Sequence, residues 1–204
     1  MDRIAIILQF WFEGVKDTDT FDKSKNPFKK WFIKDKKFDD EICLSFEADL
    51  IKASNGKYVN WEATVEGRLA LILLFDQFSR NMYRESPLMF AFDDLALDLS
   101  QRSIGESVDK KLSLVQRVFL YLPLMHAEDL IMQDLCVAKM KEMIEESKKK
   151  CPPNTHYFQY TLEYAYRHHN IIKEFGRFPH RNEILQRVST PEEMEFLKTK
   201  GSSF

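Results

Sequence analysis

The sequence predicts an all-α fold in a single helical domain, residues 1–204. Apolar residues recur at helical spacing along most of the chain, and no segment sustains the period-two alternation of a half-buried strand. Glycine and proline are scarce, 6 and 7 in 204 residues, which does not suit a sandwich or barrel with many tight turns. Helix start and stop signals punctuate the apolar stretches, and together these imply about eight or nine helices with short connections. The exception is a longer connection around residues 14–37.

The elements follow in chain order. Ile4–Phe12 is an apolar run. Between Lys23 and Lys37 stand seven lysines and one aspartate, with Phe28, Trp31 and Phe32 among them. This reads as a solvated connection whose aromatics anchor in the core, or as a surface that meets an anionic partner. Phe38–Ala53 places Ile42, Phe46, Leu50 and Ala53 on one stripe, and Asn55-Gly56 ends it. Trp61–Met82 reads as one long helix; its stretch Leu69–Phe75 is apolar all round, so it belongs in the centre. Ser86-Pro87 reads as the start of a helix carrying Phe90, Leu95, Leu97 and Leu99 to about Ser103. Ser113 opens a helix through Tyr121, which Pro123 is expected to break or kink. The next helix is expected from about Leu124 to Lys148–Lys150, before a Cys151-Pro152-Pro153-Asn154 loop. Thr155–Phe175 is helical and closed by Gly176; Pro179 starts a short helix. Thr190-Pro191-Glu192-Glu193 is a capping box before the last one.

Composition removes several function classes. Net charge is −2 and the pI is near 6.2, so no global basic footprint points to nucleic acid. No apolar run approaches the roughly 20 residues a membrane span needs, and the first residues do not form a signal peptide. Cys43, Cys136 and Cys151 show no metal-like spacing, and Cys43 and Cys136 read as small buried residues. The expected setting is the cytoplasm, with no cofactor and no metal.

Three polar clusters interrupt the apolar pattern. Asp76-Gln77-Phe78-Ser79-Arg80-Asn81 follows the all-apolar run; Asp76 shares a helix face with Arg80, and Gln77 with Asn81. Such groups must find partners, since an unpaired buried polar group costs about 1–3 kcal/mol. They read as an internal network or as one wall of a polar pocket. His126 and Glu128 follow the proline break. Arg167-His168-His169 and Arg177-Phe178-Pro179-His180-Arg181-Asn182 lie at a turn and an expected helix start, where anions bind readily. Charge balance places Asp76 and Glu128 opposite Arg80, Arg177 and Arg181 and brings the three clusters together in space.

LALILLFDQFSRN, FLYLPLMHAED and IIKEFGRFPHRN resemble the mainly bacterial domain-of-unknown-function family 924, as do ILQFWF, WEATVEGR, STPEEMEFL and the closing GSSF. The resemblance spans almost the whole chain. It implies an all-helical fold similar to tetratricopeptide-repeat proteins and no established activity. The matching polar positions are Asp76, Gln77, Arg80, Asn81, His126, Glu128, His168, Arg177, His180, Arg181 and Asn182. Ser79, Ala127 and Gln186 depart from residues common in the family; Ala127 replaces a serine, which counts against a hydroxyl nucleophile beside His126.

Two functions follow. One is a binding module whose groove holds a small anionic molecule or a peptide carboxylate, with the eleven polar positions as ligand-binding residues. The other is an enzyme with a His–carboxylate–Arg acid–base site on an anionic substrate. A metal site on His126, Glu128 and His168 or His180 lacks diagnostic spacing, and no glycine-rich phosphate loop, serine elbow, HExxH or CxxC is present. The tail Gly201-Ser202-Ser203-Phe204 is expected to be ordered, either covering the core or entering the groove as an internal ligand.

Overall fold

A computed structural model describes residues 2–22, 24 and 27–203 of the chain. Helix α1 (Arg3–Phe12) buries Ile7, Trp11 and Phe12. The lysine-rich connection contains a short helix, α2 (Phe28–Phe32), which sinks Phe28 and Trp31 into the core and leaves Phe32 55% exposed. The Trp31 indole N–H donates to the Trp11 carbonyl at 2.9 Å, tying this segment to α1. Helix α3 (Lys36–Ser54) starts at Asp35, whose carboxylate accepts the Lys37 and Phe38 amides. It buries the expected stripe of Ile42, Phe46, Leu50 and Ala53.

The long central helix begins later than the sequence suggests. Val59–Ala63, which includes Trp61, is a 3₁₀ turn, and Thr64 caps α4 (Val65–Ile72) through the Gly67 amide. Gly67 is needed there because a Cβ would lie 2.0 Å from the Trp61 carbonyl oxygen. Helix α4 passes through a π turn, Leu73–Phe78, into α5 (Ser79–Met82) with helical backbone throughout, so the three form one rod. Counting that rod once gives nine helices and 73% helix among the described residues, with no strand. The rod touches α1, α3, α6 and α7, which makes it the centre of the fold.

Ser86-Pro87 opens only a 3₁₀ turn, Pro87–Phe90; α6 (Asp93–Gly105) starts afresh with two acids in its first turn. Helix α7 (Leu114–His126) begins at the Ser113–Gln116 capping box and runs straight through Pro123. The missing proline amide costs one backbone bond, but burial along nearly the whole of α7 holds its last turn in place. The break comes instead at 127–129, where Ala127 is extended and Asp129 caps α8 (Leu130–Lys150). A 3₁₀ turn, Pro152–Asn154, leads into α9 (Thr155–Phe175), which packs along α8 and ends at Gly176 with φ 68°. Pro179–Arg181 is a 3₁₀ turn and α10 (Pro191–Leu197) carries the expected Thr190–Glu193 capping box. The three cysteines are unpaired; Cys136 and Cys151 are buried and Cys43 half-buried. No helix among the described residues is long and apolar enough to cross a membrane.

Candidate functional site

The π turn carries Asp76 on the inner side of the central rod, where it is fully buried. One carboxylate oxygen meets His126 Nδ1 at 2.6 Å and Arg80 at 3.1 Å; the other accepts from the Gln77 amide. Arg80 also forks onto Asp93 at 2.8 and 3.0 Å. Burial pushes the Asp76 carboxyl up, but Arg80 and His126 together hold it well below the usual carboxylate range. Burial dominates at His126 and lowers its pKa, with Asp76 opposing in part, so the imidazole is neutral. An ionised Asp76 can only accept, which makes His126 Nδ1–H the donor and leaves Nε2 as an acceptor.

Arg181 joins this network from the far end of the chain. It donates to the His126 carbonyl at 2.9 Å, reaches Asp93 at 3.5 Å, and lies over the Phe90 and Phe178 rings at 4.5 and 4.6 Å. Its Nε has no partner among the described residues. Burial, then Arg80, lowers its pKa to about 10. The three clusters therefore meet around Asp76, His126 and Arg181, as charge balance predicts, but the pairing differs. Asp93, which the sequence analysis does not single out, takes Arg80 and Arg181. Glu128 binds Arg187 at 2.6 and 2.9 Å and accepts the Phe178 amide at 2.8 Å. Arg177 turns to Glu193 at 2.6 and 2.8 Å, and Asn182 donates to the same carboxylate at 3.1 Å. The expected anion-binding helix start is a three-residue turn whose entry amide is already taken by Glu128.

Two cavities flank His126. The first, about 480 Å³, lies between α2, the α4–α5 rod with the turn after it, α7 and α9. Gln77, Arg80, Asn81, Arg84, His126 and His168 contribute its polar lining, with Arg167 and Lys34 beside them. No Asp or Glu lines it among the described residues. Its α9 wall is a stripe of Tyr157, Tyr160, Thr161, Tyr164, Arg167 and His168 at helical spacing; the sequence singles out Arg167 and His168 but not the three tyrosines and Thr161. That spacing was the available signal, masked by the resemblance of a tyrosine stripe to ordinary core. Gly201 and Ser203 also line this cavity, while Ser202 donates to the Leu197 carbonyl at 3.1 Å; Phe204 lies outside the described residues. The second cavity, about 410 Å³, is acidic, with Asp76, Asp93, Asp94, Glu128 and Asp129 against Arg181 and His126.

Of the other two histidines in the expected set, His168 is buried and His180 half-buried, and both are driven toward the neutral form. Burial, reinforced by His126, lowers His168 to about 3. Burial and then Arg181 lower His180 to about 4. Phe178 stands 5.5 Å from the His168 ring and 5.6 Å from the His180 ring. Among the described residues no group of three His, Cys, Asp or Glu side chains is arranged to hold a metal ion. Asn81 donates to Asp39 at 2.7 Å, and Asp39 also binds Arg84.

Comparison with solved structures finds a protein of unknown function from Agrobacterium tumefaciens, 35% identical, with a TM-score of 0.77 and 96% of each chain covered. No curated protein matches. The family model described as "Bacterial protein of unknown function (DUF924)" matches residues 7–201, and with the helical order and the clustered motifs above it, the chain belongs to that family.

Proposed function

We propose that the protein binds a small anionic ligand or a peptide carboxylate in the cavity between α7 and α9. One observation carries this reading: a cavity of about 480 Å³, in the range of small-molecule sites, lined by four cationic side chains, two amides and two neutral histidines, with no acid among the described lining residues. Amides and guanidinium groups suit a carboxylate. The stacking of α7, α8 and α9 on one another supports a tetratricopeptide-like layout, whose grooves hold ligands. Three unpaired cysteines support a cytoplasmic setting. A thermal-shift screen over small carboxylates and phosphates tests the reading. Stabilisation by anions that is lost in Arg167→Gln supports it, and a flat response across the panel overturns it.

A second reading has its own observation. The Asp76–His126 contact at 2.6 Å fixes the imidazole tautomer, as an orienting carboxylate does for a general base. An enzyme using His126 in this way would consume a component of a metabolite pool, and His126→Gln would not.

A further inference from the structure

We propose that the ligand of the α7–α9 cavity is a polyhydroxy carboxylate of the sugar-acid kind, its hydroxyls held by Gln77, Asn81 and His126 and its carboxylate by the exposed cations. This rests on the anion-binding reading and names the ligand class for the same site.

Three polar groups of the cavity wall are oriented by carboxylates behind them. Asp76 takes His126 Nδ1–H on one oxygen and the Gln77 amide N–H on the other, so the two side chains are neighbours. Asp39 takes the Asn81 amide N–H at 2.7 Å. A carboxylate paired with arginine accepts and does not donate; Asp76 faces Arg80 and Asp39 faces Arg84. Each donor is therefore spent behind the wall, and each acceptor is turned away from it: Gln77 Oε1, Asn81 Oδ1 and His126 Nε2. None of these three atoms has a partner among the described residues, and none is sealed from solvent. Of the two cavities flanking His126, Gln77 and Asn81 line only this one. His126 lines both and turns Nδ1 toward Asp76, which lines the second. Gln77 stands on the π turn, an uncommon geometry concentrated at functional sites.

Arg80 and Arg84 alternate with Gln77 and Asn81 along this wall. Their charges are matched by Asp76, Asp93 and Asp39. Arg84 spends Nε and one Nη on Asp39, which leaves its other Nη without a partner among the described residues. The wall thus offers acceptors and donors side by side with little net charge. A hydroxyl both donates and accepts, so it fits such a wall. An ammonium or an amide N–H only donates, and a carboxylate only accepts and would leave the three acceptors unanswered. The unmatched positive charge lies elsewhere: Lys34 and Arg167 line the cavity, exposed, with no carboxylate partner among the described residues. Several hydroxyls against the Gln77–Arg84 wall and one carboxylate near these cations answer both.

The test is calorimetry on the full chain at millimolar concentration with gluconate, with hexanoate, which lacks the hydroxyls, and with sorbitol, which lacks the carboxylate. Hexanoate is the strict control, because Val118, Leu122 and Met125 give the cavity apolar surface that an alkyl chain would cover. Gluconate should bind at least about tenfold tighter than either, the scale of one or two hydrogen bonds or one charge-assisted contact. Gln77→Met keeps the length of the side chain and removes its acceptor; it should cost gluconate about tenfold and leave hexanoate unweakened. Asn81→Ala, at a half-buried position outside the Asp76 contacts, should cost gluconate about fivefold with the same selectivity, and it decides the matter if Gln77→Met lowers the melting temperature. Arg167→Gln should weaken both acids but not sorbitol. Equal affinity for gluconate and hexanoate, or gluconate binding untouched by the Gln77 and Asn81 variants, overturns the hydroxyl assignment and leaves the anion reading standing. Sorbitol binding as tightly as gluconate, or no binding of any probe, overturns both.

Discussion

Asp76 is the residue whose removal the structure prices most directly. Alanine deletes three contacts at once: the acceptors for His126 Nδ1–H and the Gln77 amide, and one of the charges facing Arg80. Breaking a buried ion pair from one side costs about 3–5 kcal/mol. Arg80 keeps both Asp93 oxygens and the Asp76 carbonyl, so the loss sits near the bottom of that range, about 3 kcal/mol. Asparagine keeps an acceptor for His126, and the Gln77 amide can turn to accept from the new NH2. Only the charge goes, and the cost falls to about 1–2 kcal/mol. With a urea dependence of about 2–3 kcal/mol per molar, the Asp76→Ala midpoint should lie about 0.5–1 M below that of Asp76→Asn. Urea melts at pH 7, followed by circular dichroism and tryptophan fluorescence, measure this. Coincident midpoints for the two variants, or an Asp76→Asn midpoint equal to the unsubstituted protein, refute a buried, ionised Asp76.

Acidification should destabilise the fold well before the carboxylates titrate. His168 and His180 are neutral when folded, with pKa values of about 3 and about 4, so the unfolded chain binds more protons below about pH 6.5. Their stabilisation is complete above that pH and lost as pH falls toward the folded values, about 3–4 kcal/mol for the pair between pH 7 and pH 5; melts of His168→Gln should show about half that slope. Gly67→Ala drives a Cβ to within 2.0 Å of backbone oxygen, and should cost about 3 kcal/mol or more, a melting-temperature drop of about 6–12 °C. A drop under about 2 °C would mean that the Trp61 turn yields easily. Glu128→Ala removes the Arg187 pair and the Phe178 amide acceptor, so limited proteolysis should cut between residues 178 and 190 first, at a stability cost of about 1–2 kcal/mol. Unchanged cleavage would show that the Arg177–Glu193 contacts hold the segment alone.

Local signals survived into the structure where they act locally. The Ser113–Gln116 and Thr190–Glu193 capping boxes and the Gly176 stop all stand where the residues place them, because each closes a backbone bond within its own turn. Pro123 misled for the opposite reason: its local penalty is real, but α7 is buried on nearly every side and tertiary packing outweighs one lost bond. The Ser86-Pro87 start also succeeded only locally, as a 3₁₀ turn, since Phe92 and Asp93 begin the true helix. In the site, Asp76, Arg80, His126 and Arg181 were legible because polar groups on apolar segments must meet. Their partners were not. Asp93 looks like an ordinary first-turn acid and Glu193 like half of a capping box, and each acquires its second role only through a chain reversal that no short window contains.

The two polar networks differ in how their charges are arranged, and the difference bears on the proposed anion-binding reading. In the 177–193 segment the inward-facing charges answer one another: Glu193 takes Arg177 and Asn182, Glu128 takes Arg187, and Arg187 also reaches Asn182 and the Phe178 carbonyl. Such a closed set fixes the path of a segment with few regular backbone bonds. Around His126 the balance is deliberately uneven. Asp76, Asp93 and Asp39 lie beside or behind the cavity wall and satisfy Arg80 and Arg84, while the cavity itself receives amides, neutral imidazoles and tyrosines. Five acids collect instead in the second cavity, on the other side of the same histidine. The proposed anion pocket accounts for this sorting, because keeping carboxylates off one wall removes the repulsion that would oppose the ligand, and the buried acids behind still preserve the arginine geometry.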